Sequence, residues 1–272
     1  MEAHGTDKVF GGSIPELYDT LLVPLIFEPY AVDIAARAAA FAPTRVLEAA
    51  AGTGAVTRAL ARTLPEATTI VATDLNPPML DRAATIGTCR PVTWQQADAQ
   101  QLPFDDGSFD LVICQFGAMF FPDRPKAFAE ARRVLRPGGT LLFNVWDRIE
   151  DNEFAHVVTR TLASVFPDNP PAFLARTPHG HHNPVLIEAD VRLGGFTQVV
   201  CETVSARSRA DTARLPAFAY CQGTPLRGEL EAFGPDALSA ATDACTEALT
   251  ARFGPGPVDG KIQAHVFTAT TA

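Results

Sequence analysis

No run in this sequence approaches the roughly 20 apolar residues of a membrane span, no Lys/Arg cluster occurs, and the five cysteines contain no C-x-x-C pair. Each absence removes a class of function. The start, MEAHGTDKVFGG, carries no apolar stretch of signal-peptide type. A formal charge of −9 without a basic patch opposes attraction to nucleic acid phosphates or to an anionic membrane surface. Cys89, Cys114, Cys201, Cys221 and Cys245 are odd in number and widely spaced, which speaks for reduced thiols over a disulfide frame or a zinc site. The expectation is a soluble cytoplasmic protein without a metal and without a nucleic acid or membrane partner; a homodimer is compatible with it.

What is present is a large apolar fraction, 47% of 272 residues, enough for one substantial core. From Arg45 onward, short β-rich runs alternate with helical patterns: VLEA (46–49), TIVATD (69–74), FDLVICQF (109–116) and TLLFNVW (140–146). Such alternation implies crossover helices on a largely parallel sheet. Val56, Leu60 and Leu64 fall at helical spacing before Pro65, a second helix opens near Asn76 with Pro77 and Pro78, and a third fits 124–135 ahead of the turn RPGG. Two late β-like runs, 196–204 and 261–270, flank a helical pattern over 236–252. The single domain predicted over 1–272 thus has a core of about 43–146 plus 195–272. Residues 1–42 and the proline-rich 147–194 read as a helical and loop cap, with Ser13 capping a short helix opened by Pro15.

The stretch LEAAAGTGAVTRAL (47–60) places Gly52 and Gly54 between a strand and a helix. In open parallel sheets that turn meets the ligand beyond the carboxyl ends of the strands. Three further positions support a nucleotide-like ligand. Asp74 closes the second strand 20 residues after Gly54, where an acid can accept hydrogen bonds from ribose hydroxyls, or can simply cap the next helix. Asp98 follows VTWQ and can accept from an adenine amino group, or can form a local turn. Gln115 and Phe116 end the fourth strand on the same side. A dinucleotide turn beginning at Gly52 would need glycine at position 57, where Thr57 stands, and no G-x-x-x-x-G-K-[ST] occurs. Adenosine without a phosphate fits best: S-adenosylmethionine.

These motifs, together with VATDLNPPML, QADAQQLPFDDGSFDLVICQFGAMFF and EARRVLRPGGTLLF, resemble class I S-adenosylmethionine-dependent methyltransferases, most of all the small-molecule branch with quinone-ring C-methyltransferases. The resemblance covers about residues 44–146. It implies a Rossmann-like α/β fold: a seven-stranded, mostly parallel sheet with helices on both faces, its last strand reversed in a late hairpin. It also implies roles: Glu48 near the methionyl amine, Gly52 and Gly54 in the turn, Asp74 at ribose, Asp98 at adenine, Gln115 at the methionyl part, and Asn76, Met79 and Ala99 along the adenosine. Ala50 stands where the family commonly has glycine, and its methyl restricts positive φ.

The function these features point to is methyl transfer to a small, apolar or aromatic acceptor, with an NAD-dependent oxidoreductase or a non-catalytic cofactor-binding partner as alternatives. Tyr18, Tyr30, Trp146 and the segment TPHGHHNP belong to the regions expected to cover the acceptor, and Tyr18 is expected to touch the cofactor as well, as are Ala50 and Phe116. His179, His181 and His182 are candidate bases, with a solvated loop as the competing reading. If one is the base, activity rises through the ordinary imidazole value of about 6.5. Removing residues 1–30 is expected to abolish turnover and leave the core folded.

Overall fold

The computed structural model describes Asp7 and residues 10–271; residues 1–6, 8–9 and 272 of the expected single domain lie outside the described residues. Strands β1 (Arg45–Ala49), β2 (Thr69–Asp74), β3 (Thr93–Gln96), β4 (Phe109–Gln115), β5 (Leu135–Trp146), β6 (Gln198–Ala210) and β7 (Val258–Thr270) form one open sheet in the order β3-β2-β1-β4-β5-β7-β6. The first five strands pair in parallel. β7 runs antiparallel to both of its neighbours.

Apolar alternation along the central strands builds two cores. Val46, Ile70, Leu111, Ile113 and Leu142 point to one face, onto helices α2 (Glu28–Ala40) and α3 (Ala55–Thr63). Leu47, Val71, Val112, Leu141 and Phe143 point to the other, where α5 (Arg124–Val134), α6 (Glu153–Val165) and α8 (Pro184–Leu193) contribute Phe128, Phe154 and Val191. Helix α3 stops because Pro65 forces Leu64 into an extended conformation, ψ 152°. Helix α4 (Pro77–Ile86) opens on its two prolines, as read from the sequence. No helix among the described residues is long and apolar enough to cross a membrane.

Several local expectations differ. Ser13 precedes α1 (Ile14–Leu17) but makes no cap; its hydroxyl instead accepts from Arg227 Nη1 at 2.7 Å. The RPGG segment does not end in a free turn: it is drawn into β5, which shifts register against β4 between Phe109 and Leu111. The late strands pair over thirteen residues, yet no short hairpin joins them. Their connection carries α9 (Arg214–Gln222), α10 (Leu226–Glu231) and α11 (Ala237–Phe253), which bury Ala217, Cys221, Leu230, Ala241 and Cys245 in the main core. Of the proline-rich region, α8 packs on α5 and β6, along the flank of the sheet, while α7 (Phe173–Arg176) reaches toward the strand ends.

The N-terminal region is structural as well as covering. Between α1 and α2 the chain winds as a π-helix, Tyr18–Phe27, with the Glu28 amide donating to the Val23 carbonyl five residues back. Leu22, Val23, Leu25, Ile26 and Phe27 from this segment are all buried in the main core. At about 1.5–3 kcal/mol per buried large side chain, these five side chains represent about 7.5–15 kcal/mol, comparable with the roughly 5–15 kcal/mol that stabilises an ordinary domain. The truncation is therefore expected to destabilise the core itself, where the sequence alone led us to expect a core that stays folded. Asp19 fastens the π-helix above the glycine turn through Arg58 (3.0 Å) and Arg82 (3.4 Å).

Candidate active site

The loop after β1 is shaped by residues in the left-handed region. Gly52 (φ 56°) and Gly54 (φ 83°) adopt it without a steric penalty, whereas Ala50 (φ 55°) and Phe116 (φ 50°), after β4, adopt it against one. Non-glycine strain of this kind concentrates at ligand-binding loops. Asp74 stitches the loop to the next motif: Oδ2 accepts from the Gly52 amide at 2.8 Å, and Oδ1 from the Asn76 amide at 2.8 Å and Asn76 Nδ2 at 3.3 Å. Burial raises the Asp74 carboxyl above its ordinary range, and these donors oppose the rise. The cap position of α4 belongs to Asn76, so Asp74 is not the helix cap that its position also allowed.

Asp74, Tyr18, Ala50, Gly52, Asn76, Met79, Asp98, Ala99, Gln115 and Phe116 line one solvent-open cleft of about 1020 Å³ at the carboxyl ends of the strands. Asp98 turns one oxygen to the Gln100 amide (2.8 Å). Gln115 Nε2 donates to the Phe27 carbonyl at 3.3 Å, which leaves Oε1 buried and without a partner among the described residues. Two residues expected at the cofactor stand off the cleft wall. Gly54 lies behind it: a Cβ there would come within 2.9 Å of the Trp94 ring, so its glycine serves close packing. Glu48 lines a smaller recess of about 300 Å³ beneath the turn, shared with Tyr18, Gly52, Thr53 and Gln115. There Thr57 Oγ1 donates to Glu48 Oε2 at 2.6 Å. Burial pushes the Glu48 carboxyl up to about 8, against the Thr57 bond and the Arg58 charge and with help from Asp74.

A second cavity, about 580 Å³, adjoins the first, and Phe10, Tyr18, Phe116 and Phe120 line both. Its walls are largely aromatic and aliphatic, from the π-helix, the segment after β4, Trp146, α7 and α9. Phe116 stacks on Trp146 with centroids 3.8 Å apart and planes 7° from parallel. Tyr30 meets both rings edge-on from beneath.

The HGHH segment is neither a solvated loop nor a cluster of three bases. His179 is buried and lines the second cavity. Its Nδ1 is 2.8 Å from the Asp147 carbonyl, an acceptor, so the proton sits on Nδ1 and Nε2 carries the lone pair. Burial pushes this imidazole down to about 4, with the Asp147 carbonyl opposing, so the ordinary value near 6.5 does not apply. His181 is buried with Nε2 4.0 Å from Asp190, and burial holds it at about 3. His182 faces back to the His179 carbonyl at 2.7 Å. Neither of the latter two lines the cleft or the adjoining cavity.

Other site residues went unread in the sequence. Gly117 in QFGAMFF carries a local signal: a Cβ there would lie 2.6 Å from the Ala50 Cβ. Phe120 sits in the same aromatic run, while Asn152, Tyr220 and Thr224 come from distant segments with no motif around them.

A family model described as a methyltransferase domain matches residues 47–143. The chain is similar to a demethylmenaquinone methyltransferase of Deinococcus radiodurans, 41% identical over 110 residues, which is 40% of this chain and 45% of that protein. The matched stretch spans half or less of such curated relatives. Among solved structures, the YcgJ protein of Bacillus subtilis shares the fold with a TM-score of 0.56 at 18% identity, covering 90% of this chain and 99% of that one. A phosphoethanolamine N-methyltransferase of Haemonchus contortus in complex with S-adenosylhomocysteine does so with a TM-score of 0.58 at 19% identity, covering 94% and 57%. Residues 47–143 of this chain thus match a methyltransferase-domain model, and the seven-stranded sheet that holds them shares its fold with those two solved structures.

Proposed function

We propose that this protein transfers a methyl group from S-adenosylmethionine to a neutral, apolar or aromatic small molecule. The observation that carries the reading is the pair of cavities: a polar-edged cleft along the strand ends and an apolar chamber meet at four aromatic side chains. The residues present suit this cofactor. Gln115 Oε1 is a buried acceptor without a partner among the described residues, and the Glu48 carboxyl shares its recess. Both complement the ammonium of a methionyl group. The free oxygen of Asp98 and the loop at Asn76 and Met79 suit adenosine. Bound there, S-adenosylmethionine supplies an electrophilic methyl on a cationic sulfur.

The protein's part is mainly positioning. Holding an acceptor in line in a dry chamber can supply roughly 7–11 kcal/mol of the barrier. Phe10, Tyr18, Phe116 and Phe120 keep water from the junction of the cavities and present ring faces that attract a cation, by about 0.5–2 kcal/mol. His179 Nε2 can take the proton of an acceptor hydroxyl. His181 and His182 have no part in this.

An NAD-dependent oxidoreductase is disfavoured because Thr57, 0% exposed, fills the third-glycine position and is committed to Glu48. A non-catalytic binding role is disfavoured by the apolar chamber that adjoins the cleft. A cytoplasmic setting belongs to the same reading, in keeping with five unpaired cysteines. Incubation with methyl-labelled S-adenosylmethionine and a panel of neutral hydroxylated aromatics is expected to move label into product. Label staying on the cofactor across the panel, with reduced nicotinamide formed from NAD instead, would reverse the assignment.

A further inference from the structure

The polar groups on the chamber wall can be sorted by what they have left to offer. Asn152 is spent: Nδ2 donates to the carbonyls of Asp147 (3.3 Å), Arg148 (3.2 Å) and Gln263 (3.3 Å), and Oδ1 accepts from the Gln263 amide (3.0 Å). Thr224 is spent too, donating to the Tyr220 carbonyl (2.8 Å) and accepting from the Leu226 amide (3.2 Å). No Asp, Glu, Lys or Arg side chain among the described residues lines the chamber. Two groups remain beside Tyr18 at the cofactor junction. One is His179 Nε2, an acceptor because Nδ1 holds the proton. The other is the hydroxyl of Tyr220, a buried residue of the chamber wall, which burial keeps protonated and which has no hydrogen-bond partner among the described residues. A buried phenol of this kind is a donor waiting for an oxygen.

Resting on the methyl-transfer reading, we propose that the acceptor is a neutral molecule with two oxygen functions: a hydroxyl that donates to His179 Nε2 and a carbonyl-type oxygen that accepts from Tyr220 Oη. Tyr220 orients the acceptor and His179 receives the hydroxyl proton as the oxygen, or the ring carbon it activates, takes the methyl. Atoms balance: the C–S bond breaks, the bond from methyl to acceptor forms, and one proton leaves the acceptor. A charged acceptor is rejected because desolvating a carboxylate or ammonium in this chamber finds no counter-charge. A simple phenol binds with Tyr220 unpaired, and a simple ketone with His179 unpaired, each losing one hydrogen bond.

The test is binding, not turnover. Calorimetric titration with 2-naphthol, 2-acetylnaphthalene, 6-hydroxy-2-acetylnaphthalene and 2-naphthoate, in the presence of S-adenosylhomocysteine, compares one, the other, both and a charge. The hydroxyketone is expected to bind about three- to tenfold more tightly than either single-function probe, and 2-naphthoate the most weakly. Tyr220→Phe should erase the gap between the hydroxyketone and 2-naphthol while keeping the gap to the ketone, and His179→Leu should do the converse. Identical ratios in wild type and Tyr220→Phe, or a preference for 2-naphthoate, overturn the proposal. The expected ratios with no methylated product from any probe would instead defeat methyl transfer and leave the two-oxygen recognition standing.

Discussion

Thr57 stands where a dinucleotide turn needs glycine, and its hydroxyl closes on Glu48. One substitution thus opposes one cofactor and supports a buried acid suited to another. Because burial pushes Glu48 to about 8, its carboxyl is largely protonated in the free protein at neutral pH. An ammonium arriving in the recess should expel that proton. Calorimetry of S-adenosylmethionine binding in buffers of different ionisation heat is expected to register proton release near pH 7, with affinity rising toward pH 8, and Glu48→Gln to remove both effects. The same shift sets a stability slope. Between the unfolded value of 4.5 and about 8 the folded state holds the extra proton, so stability falls as pH rises through that window. Glu48→Gln should flatten the fall. His179 shifts the other way: its folded value near 4 lies below the unfolded 6.5, so its contribution is present above about 6.5 and lost as pH falls through about 4. If His179 is the base, the acid limb of kcat/KM should centre near 4, and a limb near 6.5 that survives His179→Leu would exclude it.

Ala50 and Gly117 show how neighbouring elements share one constraint. Ala50 sits at φ 55°, and its methyl fills the place a Gly117 side chain would take, 2.6 Å away. Ala50→Gly should relieve a left-handed cost of about 1–2 kcal/mol, less the roughly 0.4–1 kcal/mol lost to a freer unfolded chain. Its thermal midpoint should therefore stay level or rise. Gly117→Ala should lower the midpoint, and adding Ala50→Gly should recover part of the loss; no recovery would mean that Cys114 Sγ, 2.7 Å from the same point, is the real obstacle. The central strands and their helices were legible because they carry short-range patterns: an apolar run, a glycine turn, a proline stop. TIVATD matches β2 residue for residue. The π-helix was not, because YDTLLVPLIF ends in a nearly unbroken apolar run around Pro24 that gives no helical period to read. Of the connection between β6 and β7, the helical pattern over 236–252 was legible and is α11, whereas α9 and α10 were not, since they gain their place by packing on the π-helix, α11 and each other. That the residues lining the cleft come together was readable since they follow the strands in order. The acceptor chamber joins Phe10, Trp146, His179 and Tyr220, more than 200 residues apart in sequence at the extremes, and no local pattern brings them together.

At the scale of the whole molecule, the sheet's carboxyl edge supplies one cavity and its covering segments the other, and the aromatic junction makes them a single path. Since the covering segments are themselves core, removing the chamber is expected to destabilise the sheet that carries the cleft. This coupling suggests that cofactor binding should raise the stability of the entire fold, not of the β1–β5 half alone. The account depends above all on which nucleotide the cleft takes. Calorimetric titration of the intact protein with S-adenosylmethionine, S-adenosylhomocysteine and NAD tests that most directly. The expected result is one-to-one binding of the first two, sharply weakened by Asp74→Ala, with no heat from NAD; binding of NAD alone, with no heat from either sulfur compound, would contradict it.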